Sequence, residues 1–140
     1  MNQDVKQAVL ILYINPLDNT EVLAVSRKDD HSKLGLPGGK VDDKETFLQA
    51  LTREIKEELE TDINPVKCEF LYQEKEEGFD TSTYLYTGKD LILKETPFIN
   101  EEGALVTYAK VADLMTPLHS PFHLYNTNLF KNVLKQEIGI

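Results

Sequence analysis

Between Thr46 and Leu59 the chain carries fourteen residues without glycine or proline, and Leu48, Leu51, Ile55 and Leu59 recur there at spacings of three and four. That is the period of one helix face, so the segment must dock against a core by its leucines. With Glu54 at zero and about 100° per residue, Glu58 falls at about 40° and Glu57 at about 300°. The four apolar residues fall at roughly 60° to 140° on the same wheel. Three carboxylates therefore border the buried face instead of opposing it. At that rim they are held by packing, partly desolvated and forced close together.

An acidic helix face is usually a solvated surface, and clustered carboxylates raise one another's pKa unless a cation intervenes. Hard oxygen donors point to Mg²⁺ or Mn²⁺. Cys68 is the only cysteine, so there is neither an intrachain disulfide nor a thiolate zinc cluster. It lies in Val66-Lys67-Cys68-Glu69-Phe70 and is expected as a buried structural thiol in a strand. Upstream of the helix, Leu34-Gly35-Leu36-Pro37-Gly38-Gly39-Lys40 places two glycines after a proline. Such a pair marks a sharp turn or a close approach. A metal site on a loop-helix unit beside a glycine turn suits a diphosphate, whose oxygens the metal can bridge while it lowers the pKa of an attacking water.

The formal net charge is −9 and the pI near 4.8, which disfavours a general DNA- or RNA-binding role. It does not exclude a phosphate substrate, because bound cations reverse the local sign. The apolar run Ala8 to Ile14 is too short to span a bilayer, and Met1-Asn2-Gln3-Asp4 lacks a signal-peptide pattern. A cytosolic protein without a membrane partner is expected.

The 140 residues suit one domain. Val5 to Ile14 reads as a buried strand, Asn15 to Asn19 as a turn, and Glu21 to Ser26 as the returning strand of a hairpin. Strands are expected over Val66–Gln73, Thr81–Thr87 and Gly103–Val111, with a charged turn over Glu74–Phe79. A helical turn follows at Ala112–Met115, and Phe122–Ile138 reads as an amphipathic helix with Leu129, Val133 and Ile138 among its apolar positions. The class is mixed α/β without regular βαβ units.

Gly39, Glu45, Arg53, Glu54, Ile55, Glu57 and Glu58 stand in the order and spacing of a known signature, G-x5-E-x7-R-E-U-x-E-E-x-G-U with U aliphatic. The chain thus resembles the Nudix hydrolases. Leu36-Pro37-Gly38-Gly39-Lys40 before the box and Glu101-Glu102-Gly103 ahead of a late strand extend the likeness. Two positions depart from it: Glu60 replaces the second glycine and Thr61 the closing aliphatic. Because that glycine helps end the helix, a shifted helix end is expected.

The resemblance implies an α/β/α sandwich in which a mixed sheet is flanked by the box helix and a C-terminal helix. It implies Mg²⁺-dependent hydrolysis of a diphosphate bond in a nucleoside-diphosphate-linked small molecule. A nucleoside triphosphate is favoured, because Glu74–Phe79 lacks the Pro or Tyr that marks ADP-ribose or dinucleoside polyphosphate branches. Those substrates, nucleotide sugars and a non-catalytic nucleotide sensor remain the alternatives. By the same resemblance Glu54, Glu57 and Glu58 hold the metal, with a carbonyl of Gly38 or Gly39. Arg53 orients a catalytic carboxylate, Glu45 ties the loop to the helix, and the general base is Glu54, Glu101 or Glu102. Lys40 is a candidate phosphate contact. Arg27, with Lys28 and Lys33, forms either a basic lip or a plain loop. Phe79 is a candidate base contact, although aromatic residues such as Tyr84 and Tyr86 more often serve sheet packing. Family members are often homodimers, but no exposed apolar stripe identifies an interface here.

Overall fold

The computed structural model describes residues 5–76, 78–89, 91 and 95–138. In chain order these form β1 (Lys6–Leu12), β2 (Glu21–Ser26), β3 (Leu34–Gly35), β4 (Gly38–Lys40), α1 (Phe47–Leu59), a 3₁₀ turn (Pro65–Lys67), β5 (Cys68–Glu76), β6 (Phe79–Tyr86), β7 (Phe98–Ile99), β8 (Leu105–Lys110), α2 (Val111–Leu114) and α3 (His123–Ile138). The class is mixed α/β with two sheets and helices, as expected. Contacts group the chain into two compact units, Met1–Tyr13 with Leu36–Glu95, and Ile14–Gly35 with Thr96–Ile140. Among the described residues no helix is long and apolar enough to cross a membrane.

The first unit carries the sheet β4-β1-β6-β5. Its inner strand β1 is antiparallel to β4 and parallel to β6, which is in turn antiparallel to β5. Pairing on both edges places β1 inside the sheet, and its Val9, Ile11 and Leu12 are buried. α1 buries Ala50, Leu51, Ile55 and Leu59; of the stripe that the leucine spacing predicts, Leu48 is only half-buried, and Ala50 is buried instead. Its start is fixed by a capping box: the Thr46 hydroxyl accepts from Gln49 N at 3.1 Å, and Thr46 N donates to Gln49 Oε1 at 2.9 Å. Its end is not shifted. Glu60 takes the left-handed conformation (φ 60°, ψ 34°), and its N–H donates to Lys56 O. The helix thus closes as a glycine would close it.

The second unit carries the antiparallel sheet β3-β2-β8-β7, with α2 and α3 after it. Val22, Leu23, Ala24, Val106, Leu114, Leu129, Phe130 and Val133 are buried. The side chain of Ile138 lies outside the described residues.

The expected hairpin of the first two strands does not form, because both edges of β1 are taken by β4 and β6 while β2 pairs with β3 and β8. The turn itself is real: Asn15 N donates to Glu21 O at 2.9 Å, and Ile14 bridges Val22. Other boundaries also moved. Pro65 starts a 3₁₀ turn, so β5 begins at Cys68, and it runs to Glu76, which shortens the charged turn before Phe79. β8 begins at Leu105, because Gly103 sits at φ 88° in a tight turn outside the strand. Cys68 is half-buried, and burial pushes its thiol up to about 11.

Candidate active site

The site in the first unit starts from two glycines that differ in what they avoid. At Gly38, φ is 143° and a Cβ would overlap the carbonyl oxygen of Val9, which precedes its β1 ladder partner Leu10. At Gly39 a Cβ would overlap the carboxylate of Glu54. The close approach signalled by the sequence is thus made by strand backbone at one glycine and by the box helix at the next. Glu58, one turn after Glu54, accepts from Gly38 N at 2.8 Å. Helix α1 is thereby laid along β4 with two carboxylates against the glycine pair.

Arg53 is the hub of this arrangement. Its Nε and Nη2 donate to the two oxygens of Glu45 at 2.8 and 3.0 Å, a bidentate pair. Nη2 also donates to Lys40 O at 3.0 Å, and Nη1 to Glu57 Oε1 at 3.1 Å and Glu54 Oε2 at 3.3 Å. Glu45 Oε1 additionally accepts from Asp42 N at 2.9 Å, which closes the loop between β4 and α1. The hydrogen bonds from Arg53 and then from the Asp42 N–H hold the Glu45 carboxyl at about 2. The guanidinium is in turn raised above its usual value, chiefly by Glu45. One cation therefore spans the carboxylates that the sequence places at the rim, and it offsets their repulsion.

Lys40 ends β4 with its Nζ 6.0 Å from the ring centroid of Phe79 at the start of β6. Gly38, Gly39, Lys40, Glu45, Arg53, Glu54, Glu57, Glu58 and Phe79 all belong to the first unit. Arg27, Glu101 and Glu102 belong to the second. There Arg27 forms an exposed pair with Asp29 at 3.0 Å. Glu101 and Glu102 stand at the exposed turn between β7 and β8. The sequence reading missed the capping box, although Thr46-Phe47-Leu48-Gln49 spells it. It also missed the bonds from Arg53 to Lys40 O and from Gly38 N to Glu58, which no residue type announces because each uses main chain.

A NUDIX domain model matches residues 5–125. The chain belongs to the Nudix family. Solved structures of the same fold include MutT from Methanosarcina mazei Go1, with a TM-score of 0.70 and 17% identity over 98% of this chain and 99% of that one. A MutT chain from work on the Aliivibrio salmonicida and Vibrio cholerae proteins has a TM-score of 0.67 and 24% identity, covering 94% of this chain and 98% of that one. The MutT NUDIX hydrolase of Burkholderia pseudomallei has a TM-score of 0.62 and 22% identity, covering 89% and 96%. Curated protein sequences give no match. This Nudix protein is a hydrolase that acts on the pyrophosphate bond of nucleoside-diphosphate-linked substrates, a class that generally uses a divalent metal.

Among the described residues, no three His, Cys, Asp or Glu side chains stand together as a ready-made metal site. The donor chemistry nevertheless fits such a cation. Glu54, Glu57 and Glu58 offer hard oxygens on one helix, and the glycines leave the space that the Glu54 carboxylate fills.

Proposed function

We propose that this Nudix hydrolase cleaves a diphosphate bond of a nucleoside triphosphate in a reaction that depends on Mg²⁺, with Mn²⁺ as a substitute. The observation that carries this reading is the Arg53 hub, which holds Glu45, Glu54 and Glu57 beside the Gly38–Gly39 pair of β4. Glu54, Glu57 and Glu58 would hold the cation, with a carbonyl of Gly38 or Gly39. When bound, the cation would neutralise charge on the phosphate oxygens and acidify the attacking water.

The chain's own residues do the rest. Arg53 fixes the direction of Glu54 and Glu57, and Glu45 fixes Arg53 by two parallel hydrogen bonds. Lys40, exposed at the end of β4, supplies a positive charge to a phosphate, and Phe79 beneath it limits where that charge can stand. Water attacks one phosphorus, its proton passes to Glu54 or to a carboxylate of the Glu101–Glu102 turn, and the other phosphate-bearing half leaves with the bonding pair. The absence of Pro and Tyr from Glu74–Phe79 supports the nucleoside triphosphate over the other family substrates.

The test is formation of cleavage products, separated by anion-exchange chromatography, from a panel of nucleoside triphosphates, ADP-ribose and dinucleoside polyphosphates, with and without Mg²⁺. Turnover should need Mg²⁺ and fall about a hundredfold or more in Glu58→Gln. Turnover of ADP-ribose alone would overturn the substrate class, and indifference to Mg²⁺ would overturn the role of the carboxylates.

A further inference from the structure

Among the described residues, two that are not glycine hold a positive φ, and they bracket the box helix: Lys44 (φ 81°) before α1 and Glu60 (φ 60°) after it. An L side chain crowds its own backbone there, so such torsions persist only where the surroundings over-determine them. At Glu60 the residues on either side, Leu59 and Thr61, are buried. At Lys44 the setting is the reverse, since Asp42, Asp43 and Lys44 are all exposed.

Hydrogen bonds, and not packing, close the chain at Lys44. Glu45 N donates to Asp42 O at 3.1 Å, which makes Asp42–Glu45 a turn with Asp43 and Lys44 at its centre. Of the central pair only Lys44 has a positive φ, the mark of a type II turn, whose third position suits glycine or asparagine. The clasp that holds this strained turn shut is Glu45. Its Oε1 accepts from Asp42 N at 2.9 Å, and its two oxygens accept from Arg53 at 2.8 and 3.0 Å. Arg53 Nη2 also lies 3.6 Å from Asp42 Oδ2 and donates to Lys40 O at 3.0 Å. Turn and hub are thus one assembly within the first unit. The torsion of Lys44 brings Glu45 back onto Asp42 N, Glu45 holds Arg53, and Arg53 Nη1 holds Glu54 and Glu57.

We infer that Lys44 is a positioning residue for hydrolysis: its left-handed backbone, and not its charge, seats Glu45 on Arg53 and so aims Glu54 and Glu57. The inference rests on the reading above in which those carboxylates serve the reaction. Strain at Lys44 and the Glu45 clasp oppose each other, which makes this exposed turn the part of the hub that opens first. On opening, Glu45 leaves Asp42 N, Arg53 loses its bidentate partner, and the carboxylates of Glu54 and Glu57 lose their fixed direction. A displacement of about 1 Å at a reacting site can cost on the order of a hundredfold in rate.

The experiment grades the torsion at residue 44 and reads two quantities. One is hydrogen exchange of the Glu45 amide in the protein without substrate; the other is kcat and KM on the panel substrate that the wild-type enzyme turns over. Lys44→Gly enters the torsion freely and should slow exchange of that amide about three- to tenfold, with kcat within about twofold of wild type. Lys44→Ala removes the charge but keeps the crowding, and should leave both quantities within about twofold. Lys44→Pro, whose ring forbids a positive φ, should speed the exchange at least about tenfold. It should also lower kcat about tenfold or more with KM within about twofold. The Ile55 amide inside α1 is the control and should exchange alike in every variant. In a Glu45→Ala background Lys44→Pro should cause no further loss, because it acts through Glu45.

Should Lys44→Pro not fold, the other pair decides: slower exchange in Lys44→Gly alone supports the role of the torsion, and equal exchange in Lys44→Gly and Lys44→Ala overturns it. A fall in kcat shared by Lys44→Ala and Lys44→Gly would assign the role to the charge and overturn the inference. So would an equal loss from Lys44→Pro with and without Glu45. A wild-type protein inert on every substrate would sink the hydrolase reading and this inference with it, whereas an active one indifferent to Lys44→Pro sinks the inference alone.

Discussion

Arg53 and Arg27 both stand beside acidic residues, in the first and second units respectively, and they are held in opposite ways. Arg53 is one-third exposed and donates to Glu45, Glu54, Glu57 and the carbonyl of Lys40. Arg27 is more than half exposed and pairs with Asp29 two residues away, itself 71% exposed. A guanidinium shared among several partners gives up its rotamer freedom once for many bonds, whereas exposed Arg27 gives up the same freedom for two well-solvated bonds to a single carboxylate. The same contrast separates the two acidic regions. The box carboxylates are fixed as side chains, while the Glu101–Glu102 turn is fixed through its backbone by Asn100. A region built the first way ties its chemistry to its stability.

The sharpest way to break that comparison is within the glycine pair. Gly38→Ala sets a Cβ into the main chain of β1 at a positive φ, and neither can yield cheaply. It should destabilise the protein by about 3 kcal/mol or more, read from denaturant unfolding. Gly39→Ala meets only the end of a glutamate side chain, which can swing aside. Its unfolding free energy should fall by no more than about 1 kcal/mol, while kcat drops at least about tenfold because Glu54 is displaced. Equal stability losses at the two positions would show that the glycines serve packing alone.

Next in size is the acid limb of the stability curve. The folded-state pKa of Glu45 is about 2 against an ordinary 4.5, so its ionised form is favoured by folding. That contribution is fully present above pH 4.5 and is lost as pH falls towards 2. Glu45→Gln should therefore make the melting temperature less steep in pH between those limits. It should change little in slope above them. An unchanged acid limb would mean that the bidentate pair with Arg53 is not formed in solution.

Much of this first region was legible in the residues. The leucine period, the carboxylate fan and the box spacing located α1 and its partners, because helix geometry converts sequence spacing directly into angle. The pairing of β1 was not legible. Alternation and β-branching announce a strand, but nothing in Val5–Ile14 says that β4 and β6, rather than β2, will take its edges. The locking of the acidic turn was equally hidden, since Asn100 Oδ1 and His31 Nε2 meet main-chain groups that every residue shares. The end of α1 was misjudged for a related reason. A glutamate in the left-handed region costs roughly 1–2 kcal/mol, which tertiary packing of Leu59 against the core absorbs without moving the boundary. Glu60→Gly should release that strain, less about 0.5–1 kcal/mol for glycine's greater freedom when unfolded, a net gain of about 0.5–1 kcal/mol. Thermal unfolding of the variant checks it, and a loss of stability would mean that the Glu60 side chain contributes more than its backbone strain removes.

The smallest effect on stability should come from Arg27→Ala. Its pair with Asp29 is local and well solvated, so the unfolding free energy should change by about 0.5 kcal/mol or less. Activity separates the two roles open to this residue. If Arg27 meets a phosphate of the substrate, KM should rise about three- to tenfold at constant kcat, because a contact made equally in ground and transition states is lost. An unchanged KM would assign Arg27 to the surface of its loop. Either result sharpens the contrast with Arg53, where the guanidinium is too deeply shared for any substitution to touch binding without also moving Glu45, Glu54 and Glu57.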